Sequence, residues 1–355
     1  MTYLDYQATT PLAPEAFEAM LPWLRDGHAN PHSAHAAGRR AKATIEVARE
    51  EVAALLPSGG RVVFTSGATE ALNWAIKASA GPIVTLATEH AAVLDTVAAS
   101  GRPVSMRPVR RDGLTDDLVV PPGTGLVAAM LVNNEIGVIQ PIAELVEQAH
   151  DAGALFLCDA VQGYGRVQVP DGCDLIAISA HKIHGPKGVG ALWVRDGVRL
   201  EPLMHGGGQE VGRSGTLSPA LCVGFGAAAR LARRDAPEDA AHVARLARLA
   251  SDRLGPEWSL NGSAEQRYRG NLNIRRDGLD VGRLVSDLRD IAFSAGSACA
   301  SGSGRPSHVL RAIGLSDAEA RSSIRLGFGR YTTEAELLDA VERINAAARA
   351  QRIAA

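Results

Sequence analysis

The chain has 355 residues, 46% of them hydrophobic and 21% charged, which is length enough for two domains or one large domain with an appendage. Lys plus Arg (37) and Asp plus Glu (39) cancel to a formal charge of −2, so no global positive excess exists to drive nucleic-acid binding. The four cysteines form no CxxC pair, no apolar run approaches the ~18 residues of a membrane span, and the N-terminus has no leader-like region, so a cytoplasmic protein with neither nucleic-acid nor membrane partners is expected.

In chain order, residues 34–56 carry part of an apolar helical stripe (Ile45, Val52, Leu55) that stops at Pro57 and the Gly59-Gly60 pair. The period then changes. Short apolar runs at 61–65, 83–87, 126–132, 154–158, 175–179 and 190–194 predict strands, with helices at 69–78 and 142–152 between them. Such alternation predicts an α/β fold with a mostly parallel sheet covered on both faces. Beyond Ser218 one long helical stretch reaches about Leu254 as a connector. A strand at 271–274, a helix near 281–288, a strand at 291–294 and the final helices then predict a smaller α+β unit, with the boundary within 235–255.

Sheets of this kind bind ligands beyond the carboxyl ends of their strands, and those positions are polar here. Ser66-Gly67-Ala68-Thr69-Glu70 opens a helix with small residues, a candidate phosphate cradle, although a plain helix cap with a first-turn Glu has the same pattern. Neither GxxxxGK[ST] nor a GxGxxG after a strand occurs, which weakens nucleotide binding of the usual kinds. Thr88-Glu89-His90, Asn133-Asn134-Glu135 and Asp159-Ala160-Val161-Gln162 follow later strands, and each taken singly reads as a cap or turn. The fifth run ends in Ser179-Ala180-His181-Lys182-Ile183-His184-Gly185, a lysine between two histidines that suits Schiff-base chemistry if the amine is kept unprotonated. A metal site at His181 and His184 is the weaker reading, and no metal is expected. A lysine, a carboxylate and a phosphate cradle together meet the needs of pyridoxal phosphate.

The segments YLDYQATTPLAP, FTSGATEALNWAIK, TEHAAVL, NNEIGVIQPI, DAVQGYG, SAHKIHGPKGVGALWV, HGGGQE, RSGTLSP, GSACASGS, PSHVLRAIGLSDAEA and SSIRLGFGRYTTEAE, in this order and nearly end to end, make the chain resemble the cysteine desulfurase family of class V aminotransferases. The resemblance implies the pyridoxal-phosphate-dependent transferase fold of type I. It places residues 14–245 in a large cofactor-binding domain with a seven-stranded type of sheet, and residues 1–13 and 246–355 in a small domain. It implies that Lys182 holds the cofactor and shuttles a proton, Asp159 pairs with the pyridinium nitrogen, Gln162 bonds the phenolic oxygen and His90 stacks on the ring. Ala68, Thr69, Ser179 and His181 match phosphate-binding positions. Thr216 matches one that reaches the partner's phosphate in a homodimer, and Arg330, with Asn134 nearby, matches the binder of the substrate carboxylate. One departure is the spacer Val211-Gly212 before Arg213, a residue shorter than the family's usual one.

Cys299, in a run of small residues without apolar periodicity, then becomes the expected thiolate that takes sulfur from L-cysteine, leaving L-alanine and a persulfide. His90 is a candidate proton acceptor for it. The persulfide would pass to a sulfur acceptor or scaffold protein in iron–sulfur cluster assembly or tRNA thiolation. The rival readings are a selenocysteine lyase or another class V enzyme and, from a different class, a pyridoxal-phosphate-binding scaffold without turnover.

Overall fold

Along the strand Gly60–Thr65, Val63 joins one apolar cluster while Val62 and Phe64 join another, as the two-residue period of a strand requires when both faces are covered. The computed structural model describes residues 1–116, 118–296 and 306–351. Its first half contains β1 (Thr2–Tyr3), α1 (Pro14–Arg25), α2 (Ala36–Ala53), β2 (Gly60–Thr65), α3 (Ala68–Ala78), β3 (Ile83–Leu86), α4 (Ala91–Ala99), β4 (Val104–Arg107), β5 (Leu126–Met130), α5 (Ile142–Asp151) and β6 (Leu155–Asp159). After it come β7 (Leu175–Ser179), β8 (Gly190–Arg195), α6 (Pro219–Arg234) and α7 (Ala236–Leu254). The remainder is β9 (Ser259–Leu260), β10 (Asn271–Arg275), α8 (Val281–Asp287), β11 (Ile291–Ala292), β12 (Ser294–Ala295), α9 (His308–Ala312), α10 (Asp317–Arg321), β13 (Ser323–Gly327) and α11 (Glu334–Ala350).

The large sheet has seven strands in the order β2-β8-β7-β6-β5-β3-β4. All pairs are parallel except those of β8, which runs antiparallel to both β2 and β7. On one face Leu72, Trp74 and Ile76 of α3 pack on Val63, Leu157 and Leu192, and on the other α2, α5 and α6 cover Phe64, Phe156 and Trp193. The α2–α6 crossing is close because residue 226 is glycine: a Cβ there would lie 2.8 Å from the Ala48 Cα.

A second sheet, β12-β13-β10-β9, is antiparallel, and its core joins Leu4, Val243, Leu246, Leu326 and Ile344. The N-terminal strand β1 pairs in parallel with β11. The long helix expected to 254 is two helices, α6 and α7. Asp235 closes the first, and Pro237 in the first turn of the second has no N–H to continue the ladder. The strand expected at 291–294 is likewise two short strands, on either side of Phe293.

Candidate active site

The carboxyl ends of β5, β6 and β7 border a cavity of about 570 Å³. β6 ends in Asp159, 6% exposed, whose Oδ1 accepts the Val161 N–H at 3.0 Å. Burial pushes this carboxyl above its ordinary range, against the pull of His90 and Lys182. β7 ends in Ser179 and turns at once into the single 3-10 turn Ala180–Lys182. There the Lys182 ammonium donates to the carbonyls of Gln7 and Ala8 at 2.5 and 2.8 Å. Burial, with the charges of Arg166 and Arg325, pulls the amine down from 10.5 to about 8, although Asp159 and Asp5 oppose them. An amine so placed has an appreciable nucleophilic fraction near neutral pH.

Ser66, Gly67, Ala68 and Thr69 border the same cavity at the start of α3, where the first N–H groups of a helix have no partner within it. Residue 190 is glycine because the chain passes so close here: a Cβ would lie 2.6 Å from the Ile178 carbonyl oxygen and 2.7 Å from Gly67. Ser179 and His181 line the same cavity. His181 is held by Thr9 Oγ1 at 3.1 Å, and burial together with Lys182 and Lys187 pulls its pKa down to about 4. His90 caps α4, its Nδ1 accepting the Ala92 N–H at 3.0 Å, so that nitrogen carries no proton. Burial lowers its pKa, with Asp159 acting the other way. The Gln162 amide donates through Nε2 to Gln7 O at 2.8 Å.

Of the residues expected from the sequence, Ala68, Thr69, His90, Asn134, Asp159, Gln162, Ser179, His181 and Lys182 are brought to this one cavity. Arg330 is not. Its guanidinium binds both carboxylate oxygens of Asp239 (Nε at 3.0 and 3.1 Å), pairs with Asp235 at 3.3 Å, and lines a separate cavity of about 50 Å³. Two acidic neighbours already satisfy it, so the assignment of Arg330 to the substrate carboxylate is corrected. Arg325 of β13 lines the large cavity instead. It is 1% exposed, donates to Asn134 O and Asp5 Oδ1 at 2.9 and 2.8 Å, and its Nε has no partner among the described residues. Thr216 is exposed and outside the cavity lining. Its segment is tied to the cradle helix by Arg213, whose Nε donates to Glu70 at 2.7 Å. Cys299 lies outside the described residues.

Sequence reasoning also missed Gln7 and Ala8, which receive the lysine. Their segment was part of the family pattern, but carbonyl acceptors carry no side-chain signal. Gln7 Oε1 and Asn134 Oδ1 are buried with no partner among the described residues, and both residues border the cavity. Acceptors, an anion cradle, a carboxyl and an amine fit a phosphate-bearing aldehyde.

The family model for aminotransferase class V matches residues 2–340. The probable mitochondrial cysteine desulfurase of Schizosaccharomyces pombe is 45% identical over 97% of this chain and 73% of its own length. Cysteine desulfurase IscS of Rickettsia bellii is 43% identical over 96% of this chain and 90% of its own. A solved NifS-like protein from Rickettsia africae superposes with a TM-score of 0.90 at 30% identity, covering 98% of this chain and 99% of that one. The chain belongs to the cysteine desulfurase family within aminotransferase class V.

Proposed function

We propose that the chain is a pyridoxal-phosphate-dependent cysteine desulfurase that converts L-cysteine to L-alanine and carries the sulfur away as a persulfide. One observation carries this reading: the Lys182 amine, lowered to about 8, shares a cavity with the buried Asp159 and a helix-start cradle. When bound, pyridoxal phosphate supplies an electron sink for negative charge at the amino-acid α carbon. The chain's residues do the rest. Lys182 would hold the coenzyme through its amine and would carry the α proton of the substrate. Asp159 would keep a proton on the ring nitrogen, Gln162 would donate to the phenolic oxygen, and His90 would cover the ring. Ser66 through Thr69, Ser179 and His181 would bind the phosphate, and Arg325 with Asn134 would bind the substrate carboxylate.

The sulfur step falls to Cys299. Its thiolate bonds to the substrate sulfur, the carbon–sulfur bond breaks, and the released carbon takes a proton, so cysteine plus thiol gives alanine plus persulfide. The described cysteines are poor substitutes: Cys158, Cys173 and Cys222 are buried. The Cys173 contact and burial raise the Cys158 thiol well above its ordinary range, and burial raises Cys222 to about 12. An acceptor protein takes the persulfide sulfur. The active unit is a homodimer in which Thr216 reaches the partner's phosphate, supported by its exposure beside the cradle helix. Among the described residues no helix is long and apolar enough to cross a membrane. The cytoplasm is the proposed compartment, supported by the unpaired thiols.

The test is incubation with L-cysteine and a thiol reductant, assaying alanine and sulfide together. Lys182→Ala is expected to lose the visible band of the lysine-bound coenzyme and all turnover. Cys299→Ala is expected to keep the band and lose alanine formation. Equal alanine and sulfide from the Cys299 variant would remove that thiol from the reaction.

A further inference from the structure

Gln162 and Lys182 are held from behind the cavity by a single guanidinium. Arg166 Nη1 donates to Gln162 Oε1 at 2.8 Å, and Nη2 donates to the Lys182 carbonyl at 2.5 Å. The guanidinium carbon sits 5.1 Å from the Tyr268 ring centroid. Arg166 borders the small cavity of about 50 Å³ that also contains Arg330, rather than the large one. We propose that Arg166 is a positioning residue for the site, fixing which face of the Gln162 amide meets the coenzyme and presenting the Lys182 side chain; this rests on the roles proposed above for Gln162 and Lys182.

An amide has a donor end and an acceptor end, and a guanidinium has donors only. With Arg166 on Oε1, Gln162 cannot flip without placing N–H against N–H, so its NH2 end remains the one that donates. That polarity is what an anionic phenolic oxygen needs. The donors of Arg166 go to amide and carbonyl oxygens rather than to a carboxylate, although the carboxylate of Asp239 borders the same small cavity. The charged and titratable groups around Lys182 include Arg166, Arg325 and Lys187 on the positive side, Asp159 and Asp5 on the negative, and the histidines His90 and His181. Arg166 is the largest of the charge contributions that lower the amine. A guanidinium keeps its proton at every working pH, so this bias is constant.

The experiment uses the full chain with and without coenzyme. Lys182 in the coenzyme-free protein is labelled with acetic anhydride across pH and followed by mass spectrometry, while pyridoxal phosphate affinity is measured by titration. In Arg166→Gln the labelling midpoint should rise, with the rate at pH 8 falling roughly threefold, and coenzyme affinity should fall about tenfold. Arg166→Lys should restore the labelling midpoint, because the charge returns, and not the affinity, because one ammonium cannot hold both oxygens. A folded Arg166→Gln with wild-type labelling and affinity would overturn the proposal. Should that variant not fold, Arg166→Lys decides: wild-type labelling with weakened affinity supports the role, and unchanged affinity refutes it. Borohydride reduction of the loaded wild-type enzyme separates the two levels. If it fixes the coenzyme on a lysine other than Lys182, the reading of the site fails and this inference with it.

Discussion

Arg325 is buried on β13 with Asp5 as its carboxylate partner, whereas Arg330 stands between Asp235 and Asp239. A guanidinium with an unpartnered Nε in a cavity can bind an incoming carboxylate, and removing such a partner costs about 2–5 kcal/mol. Arg325→Leu is therefore expected to lower kcat/KM for cysteine at least 30-fold, mostly through KM. Arg330→Ala is expected to leave KM unchanged and to lower the melting temperature; a large KM rise in that variant would reverse the assignment. The sequence made this choice hard, since both arginines lie in SSIRLGFGRYTTEAE and only the strand register of β13 separates the one that lines the cavity from the one that leaves it. Lys182 has a thermodynamic signature of its own. Its folded pKa, about 8, is below the ordinary 10.5, so between these values the unfolded chain holds a proton that the folded chain has released. Stability of the coenzyme-free protein should thus rise with pH across that window, the cost of the buried charge being fully felt below it. Urea unfolding at pH about 7 and about 10 should show wild type gaining on Lys182→Met as pH rises. A difference that does not change with pH would contradict the lowered amine.

Among the elements, β5, β6 and β7 were legible in the sequence because they are apolar and buried throughout or nearly so, and the edge strand β2 was legible too because its last four residues are buried. β4 escaped notice because none of its residues is buried: exposed Val104 and Met106 alternate with half-buried Ser105 and Arg107. β13 escaped because it buries an arginine and a serine where apolar residues would mark a core strand. The cradle was legible from its small residues, but not the close approach of β8 that shapes it. Gly190→Ala would drive a methyl into Ile178 and Gly67 backbone, so it is expected to weaken pyridoxal phosphate about tenfold or more while changing binding of unphosphorylated pyridoxal much less. Equal losses for the two ligands would show that the damage is not at the phosphate. The final helix has a simpler dependence. Its capping box joins Thr333 and Glu336, and Thr333→Ala is expected to cost about 1 kcal/mol in chemical denaturation without altering turnover.

At the scale of the molecule, the catalytic turn is laced to the N-terminal segment. Thr10 Oγ1 donates to the His181 carbonyl and accepts the His184 N–H, and the Gln7 amide donates to Gly270. That segment in turn pairs through β1 with β11 and through Asp5 with Arg325. None of these links was legible from the sequence, because they join residues far apart in the chain and most are made by backbone carbonyls. They also set an order of events during synthesis. Residues 2–8 leave the ribosome well before their anchors at 270, 291–292 and 325, so the pocket that holds the reactive amine closes only after those later segments have been translated. Coenzyme capture is then a late, post-synthetic step, and a nascent chain stalled before residue 290 should expose a lysine that no vitamin B6 aldehyde can occupy tightly.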